Sequence, residues 1–142
     1  MARLRHAIET GSLAVITGQV GSGKSTAIRS VIHSLDASRY RYIYLANSQL
    51  TLAEFYKSLL YQVNIQPGRG IFANKRLVAQ AMLDLHQKGI KPLVVIDEGQ
   101  ELTAPMLGEL RFVLNYQTDS FSPLMIILAG HDYSRQFRPA FL

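Results

Sequence analysis

Hydrophobic and polar positions along the chain change period several times, and each change marks an element. Residues 13–17 (LAVIT) form a short apolar run that ends in a glycine-rich stretch, the pattern of a buried strand followed by a turn. Beyond the turn, Ala27, Ile28, Val31, Ile32 and Leu35 recur at helical spacing. Residues 40–46 (YRYIYLA) are rich in β-formers and predict a second strand. Thr51 and Glu54 have the spacing of a capping box, with Leu50 and Phe55 placed as its hydrophobic staple. They predict a helix running to about Val63 that buries Leu52, Phe55 and Leu59. Pro67, Gly68, Arg69 and Gly70 read as a loop. Leu77, Val78, Ala81, Met82 and Leu85 then predict an amphipathic helix over 74–88, stopped by Gly89. A third strand over 93–96 ends in Asp97 and Glu98. Thr103 is placed to cap a further helix, with Pro105 tolerated in its first turn and Met106, Leu107, Leu110, Val113 and Leu114 on its buried face. A fourth strand over 124–129 precedes Gly130 and His131.

The resulting order, β-α-β-α-α-β-α-β, calls for an α/β fold: a mainly parallel sheet covered by helices on both faces and joined by right-handed crossovers. At 142 residues, the chain suits a single domain over 1–142. Ligands of such sheets sit beyond the C-terminal ends of the strands. The glycine-rich stretch, Asn47, Asp97, Glu98 and His131 all follow strand ends, which predicts one shared site.

Residues 18–25 (GQVGSGKS) fit G-x-x-x-x-G-K-[ST], the P-loop pattern. Several backbone N–H groups must approach a polyphosphate closely. Gly18, Gly21 and Gly23 remove Cβ atoms that would obstruct this, and Gln19, Val20 and Ser22 complete the cradle. The following helix aims the positive end of its dipole at the phosphates. Lys24 supplies a charge to the β/γ oxygens, Ser25 a hydroxyl for magnesium, and Thr26 closes the segment. Asp97 is suited to holding the magnesium hydration shell and Glu98 to orienting an attacking water. Strand alternation would send the two carboxylates toward different atoms. No Asn-Lys-x-Asp occurs to read guanine, so ATP is the expected nucleotide, with Mg2+.

Composition narrows the remaining classes. The chain is 48% apolar and 18% charged, in the range of folded globular proteins. Its apolar runs are too short to span a bilayer, and its N-terminus lacks a signal-peptide core. The absence of cysteine excludes disulfides and thiolate metal sites and agrees with a cytoplasmic location. A net charge of +5 favours polyanionic partners such as DNA, although an ordinary solvated surface would carry the same excess.

The motifs together resemble those of an AAA+ ATPase, a P-loop NTPase built as a three-layer α/β/α sandwich. Within that superfamily the chain is similar to the secretion-protein-A-like (ExeA-type) ATPases and to transposition-helper ATPases. The resemblance rests on residues 16–26 (ITGQVGSGKST), 44–51 (YLANSQLT), 94–102 (VVIDEGQEL), 109–119 (ELRFVLNYQTD) and 127–132 (ILAGHD). It implies ATP hydrolysis, in service of DNA transposition with a transposase or of envelope assembly with a secretion factor, and possible self-association. The alternative is a non-catalytic, nucleotide-gated module that binds DNA or protein. Asn47 matches the residue that in many AAA+ proteins hydrogen-bonds the catalytic Glu; a turn asparagine is the other reading. His131 falls at the sensor position, where the family usually has Gln or Asn, so histidine departs from the pattern. The chain looks like a core lacking the family's fifth strand and helical lid. That implies slow turnover in isolation and a first strand at the sheet edge. Arg135 and Arg138 are candidate arginine fingers, with a flexible tail as the other reading.

Overall fold

A computed structural model of the chain describes residues 6, 8, 13–17, 24–46, 49–114 and 124–130, without the side chains of 17, 24, 25 and 100. Among the described residues four strands, β1 (Leu13–Thr17), β2 (Tyr40–Leu45), β3 (Lys91–Ile96) and β4 (Met125–Gly130), form one sheet in the order β1-β4-β3-β2. All three pairings are parallel, with Leu13 opposite Ile126, Leu93 opposite Met125, and Tyr40 opposite Lys91. Among the described residues, four helices with defined bounds accompany it: α1 (Lys24–His33), α2 (Leu52–Gln62), α3 (Ile71–Gln87) and α4 (Ala104–Leu114). The α/β architecture expected from the chain's periodicity is therefore the one observed.

Side-chain alternation along the strands divides the core into two. On one face Leu93, Val95, Met125, Ile127 and Ala129 pack with Ile28 and Val31 of α1 and with Ile8. On the other, Ile43, Leu45, Val94, Ile96, Ile126 and Leu128 pack with Phe55 and Leu59 of α2, Val78 and Met82 of α3, and Leu107 and Leu110 of α4. The central strands β3 and β4 are covered on both faces, which is why 93–96 and 124–129 are unbroken apolar runs. Each such side chain removed from water contributes about 1.5–3 kcal/mol.

The helix ends follow the local chemistry of the sequence. The Thr51 side chain accepts from the Glu54 N–H at 3.2 Å, and its hydroxyl donates to the Glu54 carboxylate at 3.0 Å. Thr103 Oγ1 accepts from the Met106 N–H at 3.3 Å. Both α2 and α3 close with paired bonds around a left-handed residue. The Asn64 (φ 62°) N–H reaches Tyr61 O and the Ile65 N–H reaches Leu60 O. Gly89 (φ 75°) and Ile90 repeat this with His86 O and Leu85 O.

β3 starts at Lys91, two residues before the expected 93, and the larger boundary difference is at α3. α3 begins at Ile71, a turn earlier than the apolar pattern placed it. Phe72 is 81% exposed and Ile71 also faces outward, so the first turn contributes no inward apolar position to the helical pattern. Asn74, expected at the helix start, is instead inside the helix and buried, where its Oδ1 accepts from the Gly68 N–H at 2.7 Å and ties the preceding loop down.

Candidate nucleotide site

Parallel pairing sends the C-terminal ends of all four strands to one edge of the sheet. There β4 separates β1, which leads into the glycine-rich stretch, from β3, which leads into Asp97. The chain leaving β3 does not continue as a strand. The Asp97 N–H donates to Leu45 O at 3.1 Å, a last link to β2, and a 3-10 turn follows over Gly99–Glu101.

Glu98 opens that turn in the left-handed region, at φ 54° and ψ 40°. A residue with a Cβ reaches this region at a cost, and such strain gathers at functional positions. Strand alternation is thus not what separates the two carboxylates, contrary to the sequence-based expectation. Both residues lie past the end of β3, and Glu98 has left-handed backbone angles that no strand residue has.

The Asp97 carboxylate is held on both oxygens. Oδ2 accepts from the Tyr44 hydroxyl at 2.9 Å, and Oδ1 accepts from the Glu98 N–H at 2.9 Å. Partial burial, then the Asp97 hydrogen bond and charge, push the Tyr44 phenol up to about 12. Tyr44 therefore stays a protonated donor across the neutral range. Tyr42, stacked on Tyr44 with ring centroids 6.2 Å apart, is also raised, chiefly by burial. Arg29 of α1, Ile28 and Ala129 line the small depression beside Asp97 together with both tyrosines. A larger cleft of about 310 Å³ lies further along α1, against Ile32, Leu35, Tyr40 and Tyr42, and does not reach Asp97.

A carboxylate offers about four lone-pair positions. Two at Asp97 are taken by the Tyr44 and Glu98 donors, so two remain for a hydrated cation. Magnesium keeps several waters and is usually held by one or two carboxylates together with substrate phosphates. Asp97 fits that demand. Among the described residues no cluster of three His, Asp or Glu side chains offers a self-contained metal cage.

Of the other predicted site residues, Lys24 and Ser25 are placed only as the first residues of α1, and Thr26 is exposed on that helix. Gly18, Gln19, Val20, Gly21, Ser22, Gly23, Asn47 and His131 lie outside the described residues, as do Arg135 and Arg138. Tyr44 and Arg29 are the neighbours that the sequence reading missed. The alternating Tyr40, Tyr42 and Tyr44 were a signal for one aromatic strand face, but nothing local pairs Tyr44 with a residue 53 positions away.

Residues 5–137 match the family model described as AAA domain. The chain belongs to the AAA domain family. General secretion pathway protein A of Aeromonas hydrophila is 26% identical over 139 residues, covering 96% of this chain and 25% of that protein. The chain thus spans about a quarter of the curated relative it matches. Among solved structures, the Aeropyrum pernix ORC2 protein in its ADPNP-ADP complexes superposes with a TM-score of 0.72 at 17% identity, covering 97% of this chain and 43% of that one. Cdc6p from Pyrobaculum aerophilum gives 0.71 at 16%, covering 96% and 40%. These likenesses establish the fold as a P-loop NTPase core of the AAA+ kind. With the secretion-protein likeness, they bear out the ExeA-like AAA+ resemblance. No helix among the described residues is long and apolar enough to cross a membrane.

Proposed function

We propose that this chain binds ATP with Mg2+ and hydrolyses it at the C-terminal edge of its sheet. The reading rests above all on strand order: β4 lies between β1, which ends at Thr17 just before the glycine-rich stretch, and β3, which ends just before Asp97, and the three strands run parallel. In this reading the backbone of Gly18, Gln19, Val20, Gly21, Ser22 and Gly23 cradles the phosphates. Lys24 neutralises their charge, and Thr26 extends the segment into α1. Ser25 and Asp97 hold the cation, Ser25 directly and Asp97 through its water shell, and the cation offsets charge developing on the transferred phosphoryl group. Glu98 orients the attacking water, Asn47 restrains Glu98, and His131, which follows β4, senses the γ-phosphate.

Turnover by the chain alone is proposed to be slow. In related NTPases an arginine supplied by a partner or elsewhere in the fold is worth about 10³–10⁵ in rate. The likeness to General secretion pathway protein A supports the secretion reading, in which the partner is a secretion factor. The basic net charge supports the transposition reading, in which DNA is the partner.

Glu98→Gln tests the enzymatic assignment. The substitution should abolish phosphate release while ATP remains bound. A variant that releases phosphate as fast as the wild type would leave the non-catalytic module as the better account.

A further inference from the structure

Tyr44 sits on edge strand β2, yet it is fixed at both ends. At its backbone, the Gln62 side-chain amide from the end of α2 imitates a neighbouring strand. Gln62 Oε1 accepts from the Tyr44 N–H at 3.2 Å, and Gln62 Nε2 donates to Tyr44 O at 3.0 Å. Arg41 Nη2 donates to Gln62 O at 3.2 Å and braces the same junction. At its tip, the phenol donates to Asp97 Oδ2 at 2.9 Å, while the Tyr42 ring stacks alongside. The opposite oxygen, Oδ1, is engaged by the Glu98 N–H. A carboxylate on a short side chain turns freely about its last bond unless both oxygens are engaged from different directions. Here one donor comes from β2 and the other from the turn after β3.

We propose that Tyr44 is a positioning residue: its phenol fixes the plane of the Asp97 carboxylate so that the remaining lone pairs face the magnesium water shell. This rests on the reading of Asp97 as the cation-holding residue. It extends that reading to a side chain from another strand that no part of the P-loop pattern contains. Tyr44 does not block the cation, because the phenol occupies one lone pair of Oδ2 and leaves the other open. Partners that orient a metal's protein contacts typically change metal affinity by about 10–100-fold when removed. The lower end applies to a carboxylate that acts through water.

The test is ATP affinity measured by calorimetry in Mg2+ and again in EDTA, the ratio being the gain due to magnesium. Tyr44→Phe keeps the ring and its stacking and removes only the donor. It should lower the magnesium gain about tenfold and leave the EDTA affinity unchanged. Tyr42→Phe, on the neighbouring ring, should behave as wild type. Gln62→Ala, which frees the Tyr44 peptide, should lower the gain in the same direction by less, and it serves if the Phe variant does not fold. Asp97→Asn separates the two levels. If it keeps the full gain, the cation role of Asp97 is wrong. If it loses the gain while Tyr44→Phe and Gln62→Ala keep it, the positioning role of Tyr44 alone is overturned.

Discussion

Glu98 offers a measurement in which strain and chemistry can be separated. Its backbone lies at φ 54° and ψ 40°, where a Cβ crowds the neighbouring carbonyl. That conformation costs an L-residue about 1–2 kcal/mol. Glu98→Ala and Glu98→Gly both remove the carboxylate and whatever it contacts, so they differ only in the Cβ. Glycine has the freer unfolded chain, which ordinarily makes it about 0.4–1 kcal/mol less stable than alanine. Here relief of the left-handed penalty exceeds that entropy, and the glycine variant should be the more stable by about 0.5–1 kcal/mol. For a chain of 142 residues this corresponds to a Tm difference of about 2–4 °C. Urea unfolding of the two variants, with matching m values, reads the difference directly. Both should have lost phosphate release. A glycine variant no more stable than the alanine variant would mean that position 98 carries no strain, and would remove the argument that the turn is held under tension for function.

Two further outcomes concern the helical layer. Glu109 Oε1 receives the hydroxyl of buried Tyr56 and the Lys75 ammonium, the latter at 2.8 Å. Burial alone would raise its pKa, but these two partners outweigh it and hold the carboxyl below its ordinary value of 4.5. A depressed folded value means the contribution is complete above the ordinary pKa and is lost as pH falls below it. Glu109→Gln should cost on the order of 1–3 kcal/mol at pH 7 and flatten the acid side of a stability-pH curve; an unchanged acid limb would count against the assignment. Asn74→Ala should cost about 1–3 kcal/mol in urea unfolding, because it leaves the Gly68 N–H without its acceptor, and a neutral result would show that water replaces the bond.

Features set by local chemistry were legible in the sequence. The Thr51 and Thr103 caps, the Gly89 stop and the strands over 93–96 and 124–129 each follow from a few adjacent residues, and the structure has them, whereas residues 13–17, read as a buried strand, are only partly covered, with Val15 41% exposed. What the sequence hid depends on distance or on backbone state. The start of α3 escaped because Ile71 and Phe72 point outward, which breaks the inward apolar rhythm used to find helices. The left-handed turn at Glu98 escaped because glutamate carries no signature for that conformation. The Tyr44–Asp97 bond and the Gln62 clamp on β2 join residues 53 and 18 positions apart, so they exist only once the sheet and its helices are assembled. The candidate carboxylates could be read as a pair after a strand, but how each is held could not.

The central claim is that the 18–26 segment and Asp97 together bind a magnesium-bound triphosphate, and calorimetric titration with Mg·ATP addresses it most directly. Wild type should give saturable heat at one site per chain, and Lys24→Ala, folded by circular dichroism, should give none. No heat from the wild type, or equal binding by the Lys24→Ala variant, would contradict the account.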